Sequence, residues 1–145
     1  MSCSFLLLGT LATILFQEVL AYQPGPCRTL VQKYPPTTIK GKLIHHSIYL
    51  DTFKQGQKEE HKPLNLCLHV NFPQNSLKEY TVIGTDNMDF VVLYKCNYFK
   101  DSKSNVELIN TYTRVKTPSK ATLTGISEAY KKNGLNENRV LVMCQ

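Results

Sequence analysis

The sequence predicts an all-β domain with one α-helix, arranged as an antiparallel barrel or sandwich. Three observations lead to this prediction. Short runs of β-branched and aromatic residues recur along the chain, separated by turn-forming residues. A single helical pattern occurs, at residues 118–132 near the C-terminus. The strand patterns do not alternate with helical ones, which excludes a fold built from parallel βαβ units.

The clearest element is a β-hairpin over residues 80–96. Apolar runs at residues 80–83 and 90–94 flank residues 84–89, where a Gly, two Asp and an Asn favour a turn. The second strand leads to Cys96, which in a secreted protein can link the hairpin to a distant part of the chain.

The other predicted strands are shorter or less regular. Residues 64–72 alternate between apolar and polar side chains, as a half-buried strand does. Residues 43–53 have a β-type composition with poor alternation, and residues 106–114 mix polar and apolar side chains on both faces. Such mixed faces suit a wet cavity or an exposed sheet better than a dry sandwich core. A short strand at residues 140–143 is the last element, directly before Cys144.

The helix is predicted for residues 118–132. Its apolar stripe consists of residues that recur at i, i+3 and i+7, namely Leu123, Ile126 and Tyr130. Two lysines in the last turn suit the negative end of the helix dipole, and Asn133-Gly134 is a favourable C-terminal stop.

The first 21 residues have the pattern of a secretory signal peptide. The apolar run at residues 5–16 has the length of a signal-peptide core, and this length disfavours the alternative of a retained membrane anchor. Val19-Leu20-Ala21 predicts cleavage after Ala21. We therefore expect a signal peptide at residues 1–21, one domain at residues 22–145, and a secreted, extracellular protein with no membrane span.

Cysteine usage agrees with an extracellular location. Loss of residues 1–21 removes Cys3 and leaves four cysteines, namely Cys27, Cys67, Cys96 and Cys144. An even number in a secreted chain predicts two disulfides, for which three connectivities exist. A redox site would need a Cys-x-x-Cys pair or an odd cysteine, and the mature sequence has neither.

The chain is basic, with 17 Lys and Arg against 11 Asp and Glu. Cleavage after Ala21 also removes Glu18, so the mature balance is 17 against 10, or +7. Dispersed lysines are typical of a solvated surface, and the alternative is an anionic partner such as a phospholipid, a heparin-like sugar or an acidic protein surface. A nucleic-acid partner is not expected, because the sequence has no aromatic-plus-basic RNA motif and no compact basic helix.

No catalytic site, metal site or cofactor is predicted. The sequence lacks a Gly-x-Ser-x-Gly motif, and no free thiol is expected to pair with a histidine. His45 and His46 point to opposite faces of an extended chain, so they make a poor chelating pair. Asp86 and Asp89 lie in a turn, where Asp normally bonds its own backbone. We therefore expect that the protein is not an enzyme.

Residues 80–145 resemble the C-terminal half of a lipocalin, nearest the apolipoprotein D-like and arthropod salivary (triabin-like) branches. The resemblance rests on an ordered set of features, namely Thr85-Asp86 in the hairpin loop, Phe90–Tyr94 leading to Cys96, Arg114 ending the next strand, Pro118 before the helix, Asn133-Gly134-Leu135 after it, and Cys144. The N-terminal half departs from the family pattern. It has no tryptophan, so the Gly-x-Trp motif is missing and Arg114 lacks the ring that the family arginine packs across.

The resemblance implies a lipocalin-like antiparallel β-barrel of six to eight strands with a C-terminal flanking helix. An incomplete barrel and a diverged complete barrel are both open, because the sequence offers six or seven strand candidates where the family has eight. The resemblance also implies the disulfide pairs Cys27–Cys96 and Cys67–Cys144, and a cavity for an apolar or amphipathic ligand. The strand faces supply the residues expected to bind that ligand, namely Tyr49, Phe90, Val92, Tyr94, Leu108 and Tyr112.

Two functions follow from these expectations. The first is a secreted lipocalin-like binding protein that carries or sequesters a small hydrophobic or amphipathic ligand in a barrel cavity. The alternative is a secreted protein-interaction or inhibitor module that acts through its basic surface and loops, as some triabin-like lipocalins do. The strand pattern favours the carrier, whereas the short barrel and the positive charge favour the interaction module.

Overall fold

The computed structural model describes residues 23–31, 33–35, 39–49, 67–72 and 79–143. In this part of the chain, seven strands form one antiparallel sheet with one α-helix. The strands are β1 (Gln23–Pro24), β2 (Gly41–Tyr49), β3 (His69–Phe72), β4 (Thr81–Thr85), β5 (Phe90–Phe99), β6 (Ser104–Thr113) and β7 (Val140–Val142). The helix, α1, is Lys120–Lys132, and a short 3-10 helix follows at Glu137–Arg139. The predicted all-β class with one C-terminal helix is confirmed.

The sheet has the strand order β3-β2-β6-β5-β4, with β1 added to β6 and β7 added to β2. The two longest strands, β5 and β6, pair along their whole length, from Phe90 opposite Thr113 to Phe99 opposite Ser104. The register of β2 against β6 shifts between His45 and Ser47, which makes a β-bulge at His46.

The hairpin β4–β5 forms where the sequence predicts it, because Asp86 caps its loop. The Asp86 carboxylate accepts hydrogen bonds from the backbone N–H groups of Met88, Asp89 and Phe90, at 2.9, 2.8 and 3.2 Å. Asn87 takes the left-handed conformation, with φ 62°, that such a tight loop requires. The expectation that Asp serves its own backbone here is thus met by Asp86.

The helix begins one turn-capping residue after its predicted start. The Ser119 hydroxyl accepts a hydrogen bond from the Thr122 N–H at 3.1 Å, which makes Ser119 the N-cap. Ile126 and Tyr130 are buried as predicted, but Leu123 is 44% exposed, so its assignment to the buried stripe was wrong. The buried face instead follows Thr122, Ile126, Ala129 and Tyr130, which lie on one side of the helix.

The sheet packs apolar side chains on both faces. We call the face under α1 the helix-side face. Its buried cluster joins strand residues to helix residues, namely Ile83, Phe90, Val92, Tyr94, Ile109, Ile126, Ala129, Tyr130 and Leu135. We call the opposite face the inner face. Its buried cluster consists of Ile39, Leu43, Val82, Val91 and Leu93. A Cβ on Gly84 would collide with the Ala129 side chain, so glycine allows the helix to lie close to β4.

A segment before β2 crosses the sheet and is tied to it at several points. The disulfide Cys27–Cys96, which the resemblance implied, links its start to β5. Further along, the Tyr34 N–H donates to the Val82 carbonyl at 2.9 Å, and Ile39 enters the inner-face cluster. The segment is therefore part of the folded domain.

Arg114 has a different role from the one the missing tryptophan would give it. Its guanidinium donates to the backbone carbonyls of Lys40 at 2.8 Å and Met88 at 3.1 Å. Arg114 thus ties the start of β2 to the loop between β4 and β5, with no aromatic ring needed.

Several predictions concern residues outside the described part of the chain. These are the signal peptide at residues 1–21, the first part of the strand predicted at 64–72, the end of the strand predicted at 43–53, and Cys144. Cys67 is disulfide-bonded, but the Cys67–Cys144 pair stays a prediction. In the described residues, no helix is long and apolar enough to cross a membrane.

Candidate ligand-binding site

The inner face takes its side chains from the pairing of β5 with β6. Residues directly opposite in an antiparallel pair point to the same face. Val91 pairs with Tyr112, and Leu93 pairs with Asn110. Since Val91 and Leu93 lie in the inner-face cluster, Tyr112 and Asn110 share that face. This face therefore combines aliphatic, aromatic and amide groups.

A polar group on the inner face is built around His45. The His45 ring stacks on Tyr112, with ring centroids 4.8 Å apart and an interplanar angle of 20°. Its Nε2 atom is hydrogen-bonded to the Asn110 side-chain oxygen at 3.2 Å. Burial lowers the pKa of His45, although the Asn110 hydrogen bond opposes this, so the imidazole is neutral at pH 7. A neutral imidazole, an amide and a phenol can orient a ligand without demanding that it be charged.

A charged group lies at the edge of this face. The Lys95 ammonium pairs with the exposed Glu79 carboxylate and lies 5.7 Å from the centroid of the Tyr80 ring. The Glu79 hydrogen bond raises the pKa of Lys95, so the amine stays charged across the physiological range. The inner face therefore runs from a buried apolar centre to a charged edge.

The structure divides the six predicted ligand-binding residues between two faces. Phe90, Val92 and Tyr94 lie in the helix-side cluster, where α1 covers them. Leu108 and Tyr112 lie on the inner face, opposite Lys95 and Val91. The six residues therefore do not line one surface. For Tyr49 the structure gives the backbone position, opposite Ile109, and its side chain lies outside the described part of the chain.

The division has a simple cause. Side chains alternate between the faces of a strand, so β5 sends Phe90, Val92 and Tyr94 one way and Val91 and Leu93 the other. Both sets are apolar, and only the position of α1 decides which set is covered. The sequence analysis missed His45 and Asn110, and a signal for them was present. Polar residues placed among inner-face apolar ones at period two are typical of a binding surface.

Tyr94 has a structural partner instead of a ligand. Its hydroxyl donates to the Glu107 carboxylate at 2.9 Å, and the Arg28 guanidinium forms an ion pair with the same carboxylate at 2.5 Å. Burial alone would raise the pKa of Glu107, but the hydrogen bonds from Arg28 and Tyr94 outweigh it and hold that pKa below its usual range. Burial and the Glu107 hydrogen bond raise the pKa of Tyr94. This network fixes the crossing segment to β5 and β6.

The described residues contain no group of three or more His, Cys, Asp or Glu that could hold a metal ion. His45 lies on the inner face, whereas His46 lines a groove beside α1, so the two side chains do not converge. Their separation follows from the alternation of side chains along β2.

Comparison with solved structures identifies the type of fold. The chain superposes on lobster apocrustacyanin A1 with a TM-score of 0.56 at 11% identity, over 90% of this chain and 93% of that one. Insecticyanin from the tobacco hornworm Manduca sexta gives a TM-score of 0.57 at 12% identity, over 87% and 89%. Crustacyanin and insecticyanin are lipocalins. The fold is lipocalin-like.

A third neighbour supports the same fold. Apocrustacyanin C1 gives a TM-score of 0.57 at 10% identity, over 86% of this chain and 91% of that one. No model of a known protein family matches the sequence, and no curated protein matches it. The likeness is therefore one of backbone architecture.

Proposed function

We propose that this chain is a secreted, non-enzymatic lipocalin that carries or sequesters a small hydrophobic or amphipathic ligand on the inner face of its sheet. The observation that carries the proposal is the difference in cover between the two faces. Helix α1 occupies the helix-side face, whereas the inner face presents the partly exposed side chains of Leu108, Asn110 and Tyr112. A face with an apolar centre and a few polar groups suits an amphipathic molecule.

The driving force would be the removal of apolar ligand surface from water. This contributes about 25 cal/mol per Å² before the cost of ordering the ligand. Val91 and Leu93 are already fully covered, so they form the floor under the ligand. Leu108 and Tyr112 would touch it directly, and Lys95 stands at the edge, where a polar or acidic end of the ligand would lie.

Secretion and processing belong to the same proposal. We propose cleavage after Ala21, a Cys67–Cys144 disulfide beside Cys27–Cys96, and a relationship nearest the apolipoprotein D-like and triabin-like branches. The Cys27–Cys96 bond and the bonded state of Cys67 support an oxidising compartment. The branch rests on the sequence pattern of the hairpin and the cysteines.

A neutral fluorescent probe tests the binding proposal. N-phenyl-1-naphthylamine is uncharged, so the basic surface does not attract it, and the chain has no tryptophan to interfere with its emission. We expect the probe to brighten on binding the secreted protein and expect Leu108→Gln to weaken its binding about tenfold. Val31→Gln is the matched control, because Val31 is 80% exposed. Equal binding by the two variants, or no binding by the wild type, would refute the inner-face site.

A second candidate function has an observation of its own. The tip of the β5–β6 hairpin exposes Tyr98 and Phe99, at 45% and 41%, next to the exposed residues Lys100 and Lys103. Aromatic and basic side chains together on a protruding hairpin are typical of a contact surface for an anionic partner. This arrangement favours the protein-interaction or inhibitor module, with a partner that is an acidic protein surface, a heparin-like sugar or an anionic phospholipid.

Heparin affinity chromatography tests that candidate with a defined polyanion. The double charge reversal K100E/K103E should elute at clearly lower salt than the matched control K116E/K120E, which changes the same charge at two other exposed lysines. Identical elution of the two variants would show that binding depends on net charge alone, and the hairpin tip would then have no specific role.

A further inference from the structure

We propose that the groove between α1 and the strands β2 and β7 is a second binding site, for a small neutral molecule with an apolar body and a hydroxyl group, such as a phenol. The groove lies on the helix-side face, so this site is separate from the one on the inner face. The two proposals stand on different residues and can fail independently.

The groove has a volume of 240 Å³ and an apolar lining with polar groups at one wall. The residues that define it are His46, Ser47, Leu123, Ile126, Val140 and Val142. Pockets for drug-sized ligands are larger, from about 300 to 1,000 Å³. The groove therefore suits a molecule of about one aromatic ring.

The β-bulge in β2 places two polar side chains at this wall. His45 pairs with Tyr112 and Ser47 pairs with Thr111, so His46 is the extra residue between them. In a regular strand, His46 and Ser47 would point to opposite faces. Here both line the groove, and bulges commonly re-aim side chains next to functional sites.

Both polar side chains are buried and lack hydrogen bonds. His46 is 8% exposed and Ser47 is 1% exposed, and within the described residues the His46 Nδ1 and Ser47 Oγ atoms have no hydrogen-bond partner. Such atoms are rare in folded proteins, because they lose the solvation of water and gain no bond in return. Two of them on consecutive residues at one groove indicate a ligand that supplies the missing partners.

Neither atom is open to solvent as the side chains stand, but no side-chain hydrogen bond has to break to bring them to the groove. Rotation of Ser47 about χ1 turns its hydroxyl toward the groove. A half-turn of the His46 ring exchanges the positions of its Nδ1 and Cδ2 atoms. Hydrogen bonds to a ligand would favour both rotations.

The chemistry of the two groups points to a hydroxyl. Burial and the nearby His45 lower the pKa of His46, so its imidazole is neutral at pH 7 and has one donor and one acceptor nitrogen. A ligand hydroxyl can donate and accept, so it can bond His46 in either tautomer and Ser47 at once. The ring of the ligand would cover Leu123, which is 44% exposed although it belongs to the apolar side of the groove.

A pair of probes that differ by one hydroxyl tests the site on the full secreted chain. p-Cresol and toluene have the same ring and methyl group, and only p-cresol can form the hydrogen bonds. In an NMR titration we expect p-cresol to bind about three to ten times more tightly than toluene, and to shift the His46 ring signals before those of Tyr112. Equal affinities, or no p-cresol binding, would contradict the proposal and assign the two polar atoms to water.

Variants then separate this site from the inner face. Ser47→Ala removes an unpartnered hydroxyl, so the fold should tolerate it, and the preference for p-cresol over toluene should fall about threefold. Ser47→Ala should leave N-phenyl-1-naphthylamine binding unchanged, and Leu108→Gln should leave p-cresol binding unchanged. An unchanged preference in Ser47→Ala would overturn the role of the groove, whatever the inner-face probe does.

Discussion

The two faces of the sheet differ in how completely their side chains are used by the protein itself. On the helix-side face, α1 covers Phe90, Val92 and Tyr94, and the Tyr94 hydroxyl is bonded to a buried carboxylate. On the inner face, Leu108 and Tyr112 keep part of their surface exposed. The comparison shows that apolar content does not mark a binding surface. The face that the helix leaves uncovered is the one available to a ligand.

Loss of the disulfide on the helix-side face should have the largest effect. Cys27–Cys96 joins residues 69 positions apart, and closing a loop of that length stabilises the fold by about 4 kcal/mol. We expect Cys96→Ser to lower the free energy of unfolding by about that amount and to reduce the secreted yield sharply. Denaturant unfolding and the yield in the medium measure both. Wild-type stability in the variant would show that the crossing segment is held by other contacts.

Removal of Arg28 should be nearly as severe. Arg28→Ala leaves Glu107, whose side chain is 3% exposed, as a buried carboxylate without its cation, which costs about 3 kcal/mol. The pKa of Glu107 is below its ordinary value of 4.5 in the folded state. The pair therefore stabilises the fold above pH 4.5, and this stabilisation is lost as the pH falls through the folded-state pKa.

The pH dependence separates this pair from ordinary packing. Thermal unfolding of the wild type from pH 7 to pH 3 should show a loss of stability below pH 4.5, and the loss should be smaller in Arg28→Ala. Parallel curves for the two proteins would mean that Glu107 does not depend on Arg28.

The helix offers a matched pair of truncations. Ile126→Ala should destabilise the protein by at least about 2 kcal/mol, because Ile126 is 6% exposed and packs in the helix-side cluster. Leu123→Ala should cost less than about 0.5 kcal/mol, because Leu123 is largely exposed. Urea unfolding of both variants measures the difference. Equal costs would place Leu123 in the core and remove it from the groove.

The smallest effect on stability is expected on the inner face. Tyr112→Phe removes one hydroxyl and keeps the ring that stacks on His45, so stability should change by less than about 0.5 kcal/mol. Binding of N-phenyl-1-naphthylamine should be retained, and binding of ligands that hydrogen-bond the phenol should weaken about threefold. A large loss of stability would assign Tyr112 to the core.

Local sequence signals were sufficient for much of the fold. The hairpin followed from Asp86 and its neighbours, and the helix from its cap at Ser119 and its lysine-rich end. Long-range geometry was not accessible in the same way. The ion pair between Arg28 and Glu107 joins residues 79 positions apart, and no local pattern records such a contact.

The candidate sites depended on information that the sequence lacks. Both sets of alternating residues in β5 are apolar, so the sequence could not say whether Val92 or Val91 faces the helix. The bulge at His46 carries no glycine or other turn residue to announce it. As a result, the groove beside α1 could be found only from the paired strands.

The central claim is that the inner face holds a small ligand, and native mass spectrometry of the secreted protein tests it most directly. The account predicts a native species with extra mass that disappears on denaturation. The same denatured, non-reduced sample should show cleavage after Ala21 and the loss of four hydrogens for two disulfides. A native species without extra mass, both as secreted and after incubation with a panel of lipids and other apolar molecules, would contradict the claim. The interaction surface at Tyr98 and Phe99 would then become the leading candidate.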